Sequence, residues 1–217
     1  AGMPLSLEES DGYSLLYHYF LGRGIAATSN ISRRLIDGVT PILVGRIKEG
    51  DIIYETTSFV SLEQQVISEK AIKGTNFLLA DGHTRGHMFT EEQQSRFNKL
   101  QEKLDPSDEQ PVHFTRISIT NQGDVPRYAF FKAPIPQCFV PKKSDIWGGG
   151  PRQLTHVFNK SEGFSSFSHD RVFCVSKRDG KPLDRSEFSN LIKPGETVEI
   201  EFRIPHSPLT HKRAEAL

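Results

Sequence analysis

The sequence predicts a mostly β fold, a large antiparallel β-sandwich with one amphipathic helix and the start of a second helix at its C-terminal end. Short runs of β-branched and aromatic residues recur at roughly ten-residue spacing, separated by turns that contain glycine, such as Asp37-Gly38. Near the end of the chain, apolar and charged residues alternate, which is the period of a strand with one buried face. The apolar members of this last strand are Val198, Ile200, Phe202 and Ile204.

The clearest strand of the first half covers residues 52–62, where the sequence IIYETTSFVSL is rich in β-branched and aromatic side chains. Similar runs predict further strands over 13–20, 31–36 and 40–47. The Asp37-Gly38 dipeptide between two of these runs is a strong hairpin signal.

One helix is predicted over residues 91–104. Thr90 and Gln93 have the spacing of a capping box, in which each side chain satisfies a backbone N–H of the other. Phe97, Leu100 and Leu104 then form a single apolar stripe. We expect this helix to lie across the sheet.

The second half returns to strands, predicted over 112–120, 126–133 and 171–176, with a short apolar patch over 188–192. Between them, the prolines at 134, 136 and 141 predict an irregular extended passage. Asp145 to Pro151 is predicted to be a long loop without regular structure, because it contains three successive glycines and ends in proline.

Pro205 ends the last predicted strand, because proline cannot donate to the ladder. Ser207-Pro208 then resembles a helix start, with serine as N-cap and proline at the first helical position. The sequence runs out soon after, before this helix would bury anything. We therefore expect residues 1–205 to form the sandwich and residues 206–217 to begin a helical linker to a downstream domain.

Composition excludes some functions. The 217 residues include 27 Lys and Arg against 27 Asp and Glu, and this balance argues against a nucleic-acid partner. No run approaches the roughly 20 apolar residues that a membrane span needs, so no membrane partner is expected. The two cysteines, Cys138 and Cys174, have apolar neighbours and are predicted to be buried thiols, although a disulfide between them stays open.

Two groups of residues are candidate sites. Asp81, His83 and His87 would bind a metal ion if the histidines shared one helix face, but Gly82 and Gly86 interrupt a helix there, so a polar loop is the simpler interpretation. The other candidate is the glycine loop, which we expect to contact a sugar or another domain, or to cap the sandwich through its tryptophan. Its residues are Asp145, Trp147, Gly148, Gly149 and Gly150.

No catalytic set is evident from the sequence. The acidic residues form no recognisable pair for glycosidic cleavage, and no nucleophile elbow or zinc-protease motif occurs. The glycine run lacks the spacing and the lysine of a phosphate-binding loop, and no cofactor is predicted.

Four segments carry a resemblance: the turn ITNQGDVPRYAF at 119–130, LIKPGE at 191–196, FRIPHSP at 202–208, and KRAEAL at 212–217. The chain resembles, mainly over 112–217, the N-terminal β-sandwich domain that precedes an (α/α)-barrel catalytic domain in multidomain bacterial glycoside hydrolases. The resemblance implies a non-catalytic accessory domain that packs against a downstream catalytic domain, helps to shape its sugar cleft, and lies in the periplasm or outside the cell. The catalytic residues of that family belong to the barrel and have no counterparts here.

Two other hypotheses remain. The chain would be a stand-alone carbohydrate-binding module if Trp147 and tyrosines such as Tyr13, Tyr17, Tyr54 or Tyr128 were exposed on one face. It would be a small metal-dependent enzyme if His83 and His87 bound an ion.

Overall fold

The computed structural model describes residues 7–13, 15–24, 30–65, 89–102, 109–141 and 149–217. Over these ranges the fold is mostly β, as predicted, with antiparallel sheets and two α-helices. The first half contains a short 3-10 turn at Glu8–Ser10 and then β1 (Leu15–Leu21), β2 (Ile31–Ile36), β3 (Thr40–Glu49), β4 (Ile52–Leu62) and α1 (Glu91–Gln101). The second half contains β5 (Pro111–Asn121), β6 (Arg127–Pro141), β7 (Gly149–Gln153), β8 (Val157–Asn159), β9 (Phe164–Ser166), β10 (Val172–Arg178), β11 (Lys181–Pro182), β12 (Glu187–Ile192), β13 (Thr197–Pro205) and α2 (His211–Glu215).

The strands of the described ranges form two antiparallel sheets. The larger has nine strands in the order β2-β3-β4-β5-β13-β10-β9-β8, with β11 paired to β10. The smaller has the order β1-β6-β12, with β7 paired to the far end of β6. Asp37 and Gly38 both have positive φ, as the tight β2–β3 hairpin requires.

The main core lies between the two sheets. Inward-facing residues of the large sheet, such as Ile117 and Ile200, pack with Phe131 of the small sheet in one buried cluster. Tyr54 links the sheets directly, because its hydroxyl accepts a hydrogen bond from the backbone N–H of Phe130 at 3.1 Å. This two-layer arrangement is a β-sandwich-like fold. The alternation predicted for β13 is confirmed, since Val198, Ile200 and Phe202 are buried.

A second apolar cluster lies on the opposite face of the large sheet and corrects the expectation for the C-terminal segment. The predicted C-terminal helix is present as α2, but its N-cap is Thr210 and not Ser207, because Leu209 exchanges two 2.9 Å backbone hydrogen bonds with Val172. The segment does bury apolar surface, since Leu209, Ala214 and Leu217 pack with the sheet. This buried area outweighs the local capping signal.

Helix α1 begins as predicted, with Thr90 accepting from the N–H of Gln93 at 3.2 Å and Gln93 accepting from the N–H of Thr90. It ends at Gln101, before the predicted Leu104. None of residues 91–100 is buried, so over its described part the helix does not bury an apolar stripe on the sheet as expected. Phe97 is half-buried and packs on Phe89, with ring centroids 5.5 Å apart.

The passage predicted to be irregular is instead the long strand β6. Pro134 falls at a register shift between β6 and β1, where a β-bulge accommodates a residue that cannot donate to the ladder. Gly149 and Gly150 are paired with Pro141 and Val140 as the start of β7, so this part of the predicted glycine loop is a strand. Backbone pairing to the end of β6 overrides the local preference for a loop.

The two cysteines are buried free thiols, as predicted, and they do not form a disulfide. Among the residues that the structure places, no helix is long and apolar enough to cross a membrane.

Candidate functional site

The outer face of the large sheet presents aromatic and charged side chains side by side. Because side chains alternate along a strand, Phe114 and Arg116 of β5 project away from the buried Ile117, and therefore away from the core. Strand register places Phe59 of β4 opposite Phe114, and Arg203 of β13 opposite Phe114 on its other side. We call these four residues, together with Glu201, the platform: Phe59, Phe114, Arg116, Glu201 and Arg203.

Two phenyl rings form the apolar part of the platform. Phe59 and Phe114 stack with centroids 5.3 Å apart and an angle of 8° between their planes. Phe59 is 38% exposed, a large fraction for an aromatic side chain. The guanidinium carbon of Arg203 lies 5.4 Å from the centroid of the Phe114 ring, within cation–π range. Phenyl, phenyl and guanidinium groups thus follow one another across three strands.

Charged groups occupy the next row of the sheet. Arg116 donates from Nε and Nη2 to Oε1 of Glu201, at 3.0 and 2.9 Å. Oε2 of Glu201 lies 3.7 Å from Arg203. Glu201 therefore lies between Arg116 and Arg203. Its carboxylate holds both guanidinium groups beside the aromatic rings.

Lys177 of β10 stands opposite Glu201 and completes this row. Burial lowers the pKa of its ammonium group, and the positive charge of Arg203 lowers it further, whereas Glu201 raises it. Its Nζ donates to the backbone carbonyl of Leu217 at 3.4 Å. The C-terminal segment therefore borders one side of the platform.

A groove of about 330 Å³ lies over the platform. Thr57 and Thr115 contribute to its lining beside the platform residues. Its lining includes one carboxylate, that of Glu201, which is already engaged by arginine. The aromatic rings, hydroxyl groups and guanidinium groups of this lining can contact a ligand by stacking and hydrogen bonding, and Glu201 is the only carboxylate among the described residues that line the groove.

Of the residues predicted as sites, the structure describes only Gly149 and Gly150. Asp145, Trp147 and Gly148 lie outside the described residues, as do Asp81, His83 and His87, so the sugar, interdomain and metal hypotheses for them stay predictions. Gly149 and Gly150 belong to the small sheet.

Sequence reasoning identified the relevant faces without assembling the site. The alternation of apolar and charged residues predicted which face of β13 is buried, and Glu201 and Arg203 lie on its other face. The missing information was the register between strands distant in sequence, which brings Phe59 against Phe114.

A separate cluster holds α2 against the β8–β9 hairpin. Nε2 of His211 lies 2.9 Å from Oε1 of Glu162, and Nδ1 of His211 lies 3.7 Å from Oε1 of Glu215. His169 stacks on His211 with centroids 4.8 Å apart. The two glutamates approach different nitrogens of one ring, so the cluster is explained as an anchor for the helix.

No protein-family model, curated protein or solved structure matches the chain. The assignment of a β-sandwich-like fold rests on the strands and sheets themselves. The resemblance to an accessory domain of glycoside hydrolases therefore enters only as a proposal.

Proposed function

We propose that the chain is a non-catalytic β-sandwich domain of a carbohydrate-active enzyme, and that it binds glycan on the platform. The observation that carries this proposal is the exposed ring of Phe59, held by parallel stacking on Phe114 and followed by the guanidinium of Arg203. The C–H groups of a pyranose stack favourably on the outer face of such a ring. Because Phe114 supports the other face, the Phe59 ring is preorganised for the sugar.

The polar groups around the rings suit sugar hydroxyls. Arg116 and Arg203 supply several N–H donors, while Thr57 and Thr115 supply hydroxyl groups. The one carboxylate of the lining is held by arginine, which favours binding over catalysis.

Alanine substitution of the rings tests this proposal. Binding of the wild-type chain to a glycan array identifies ligands, and calorimetry then compares Phe59→Ala and Phe114→Ala with the unmodified chain. We expect each substitution to weaken binding about tenfold or more, since a ring stack contributes on the order of 1 kcal/mol beyond its buried area. Phe20→Ala is the matched control, because Phe20 is an exposed phenylalanine of the other sheet.

Two results would contradict the proposal: no glycan bound by the wild-type chain, or equal affinities for the platform variants and the Phe20 control. A circular-dichroism melt of each variant separates lost binding from lost folding.

A second observation favours the accessory role that the resemblance implies. The outer face of the small sheet exposes four large apolar side chains, each about half exposed, which a covering domain would bury: Leu16, Phe20, Tyr128 and Leu191. Tyr128 and Leu191 are cross-strand partners, so they form a continuous patch. We propose that the downstream catalytic domain covers this face.

The double variant Tyr128→Ser, Leu191→Ser tests the covering domain. We expect it to leave the isolated chain folded but to lower the melting temperature of the longer enzyme that carries it. The accessory role fails if the catalytic domain alone keeps the full stability and activity of the longer enzyme. A stand-alone module would instead be indicated by glycan binding in a protein with no such domain.

A further inference from the structure

The balance of charge around the platform points to the class of glycan, an inference that rests on the proposed binding function. Arg116 and Lys177 lie opposite Glu201 on its two sides, and Arg203 lies two residues along β13 from Glu201. The whole chain has equal numbers of positive and negative residues, so this is a local excess. Glu199, the next acid on this face of β13, lies opposite Ser118 and outside the groove lining.

The donors of Arg203 are available to a ligand. Within the described residues its guanidinium makes no side-chain hydrogen bond, and its nearest carboxylate oxygen, on Glu201, is 3.7 Å away. Its position over Phe114 is fixed by the cation–π contact instead. A guanidinium that is fixed on a ring and makes no such hydrogen bond is suited to a carboxylate, which arginine binds with two parallel hydrogen bonds.

Glu201 is a poor hydrogen-bond acceptor for the hydroxyl groups of a ligand. Its Oε1 already accepts two hydrogen bonds from Arg116, and its charge is needed to balance Arg116 and Arg203. One carboxylate cannot balance the three cations Arg116, Arg203 and Lys177. A neutral sugar would leave this excess of positive charge in place, whereas an anionic sugar would neutralise it.

We propose that the platform binds an acidic glycan, with one sugar unit stacked on the outer face of Phe59 and the carboxylate of a neighbouring uronate unit paired with Arg203. Phe114 separates Phe59 from Arg203, which are two strands apart, about 10 Å, so the ligand is an oligosaccharide of at least two units. Lys177 adds long-range attraction to the same charge without contacting the rings.

Matched pairs of oligosaccharides test this assignment. Oligogalacturonate, oligomannuronate and oligoguluronate are each compared by calorimetry with the same chain after its carboxylates have been reduced to alcohols. We expect at least one uronate to bind about tenfold or more tightly than its reduced form, with an affinity that falls as salt rises.

Variants of Arg203 test whether this residue causes the preference for a uronate over its reduced form. Arg203→Gln is expected to bring the affinity for the uronate down to that for its reduced form, and Arg203→Lys, which keeps charge but loses the fork, is expected to be intermediate. Arg46→Gln is the control, because Arg46 is an exposed arginine on the same face that pairs with Glu55 at 3.5 Å; it should keep the preference.

Each other outcome overturns a defined claim. Equal binding of uronates and reduced forms, or a preference that survives Arg203→Gln, overturns the acidic assignment and leaves glycan binding intact. Tighter binding of a sulfated oligosaccharide than of any uronate overturns the choice of carboxylate. No binding of any uronate or reduced form overturns this inference alone if the array shows another glycan bound. Binding of a single-stranded oligonucleotide above all glycans overturns both this inference and the function on which it rests.

Discussion

Arg213 of α2 donates a hydrogen bond from Nε to Oε1 of Glu63 at 2.9 Å, across 150 positions of sequence. The Glu63 side chain is 1% exposed, and its other oxygen accepts from the backbone N–H of Gln110. The pair joins the C-terminal segment to the end of β4. The C-terminal segment is therefore held to the large sheet by this ion pair as well as by apolar packing.

Acid should weaken this anchor. The hydrogen bond from Arg213 lowers the pKa of the Glu63 carboxyl below its ordinary value, although burial opposes the shift. The resulting stability is complete above the pKa of the unfolded chain and is lost as pH falls through the lowered folded-state pKa. We expect Glu63→Gln to cost about 1.5–3 kcal/mol of unfolding free energy near neutral pH, measured by urea denaturation, and progressively less in acid.

Glu55→Gln is the matched control, since Glu55 forms an exposed ion pair with Arg46 and should cost less than about 1 kcal/mol. Glu9 also has a lowered pKa, through Arg171, and contributes with the same sign in both proteins. A Glu63→Gln deficit that stays constant from neutral to acid pH would show that the ion pair is not its cause.

Docking of the C-terminal segment predicts a cost for truncating Leu209. This side chain is 2% exposed and packs with Val112 and Val172. Leu209→Ala should lower the unfolding free energy by about 2–5 kcal/mol, because it removes buried methyl groups and leaves a cavity. Leu35→Ala, at an exposed position of β2, should change it by less than about 1 kcal/mol. Similar small effects for both would mean that the segment is not packed on the sheet.

Gly163 fills a position that no other residue can take without strain. Its φ is +73°, and a Cβ there would lie 2.2 Å from the carbonyl oxygen of Ser176 and 2.8 Å from the amide nitrogen of Leu183. We expect Gly163→Ala to cost more than about 3 kcal/mol, measured by thermal or urea unfolding, because backbone atoms cannot move aside cheaply. Gly180→Ala measures the cost of a positive φ without a steric clash, since the φ of Gly180 is +77° but no atom lies within 4 Å of the added Cβ. It should cost about 1–2 kcal/mol. Equal costs at the two sites would disprove the clash.

The strands could be predicted from the sequence because their signals are local. The run 52–62 has the same bounds as β4, and the Asp37-Gly38 turn has the expected positive φ. The alternation of β13 likewise identifies its buried face. Each of these features depends on residues that are neighbours in the chain.

The features that were missed depend on distant partners. The prolines of β6 predicted irregular structure, but pairing with β1 and a bulge at Pro134 keep the strand intact. Leu209 bonds to Val172, and Phe59 meets Phe114 through the β4–β5 register. A single sequence does not specify which of several similar strands are adjacent, so neither the docking of α2 nor the platform follows from it.

Both cysteines should be unreactive in the folded chain. Cys174 is completely buried, and burial raises the pKa of its thiol to about 12, although a contact with Ser176 opposes the shift. Near pH 8 roughly one molecule in ten thousand would then carry the nucleophilic thiolate at this position. Cys138 is 1% exposed, so a thiol reagent cannot reach its sulfur in the folded chain.

We expect a thiol-specific chromogenic reagent to give no rapid reaction with the native chain and to titrate both thiols in denaturant without added reductant. Ser189→Cys, on the exposed face of β12, supplies the positive control for reagent access. Rapid native labelling of either cysteine would contradict the burial of that thiol, and fewer than two thiols in denaturant would show that they had paired or been oxidised. Because labelling of the buried thiols requires opening of the core, its rate across a urea series also reports how readily the two sheets separate.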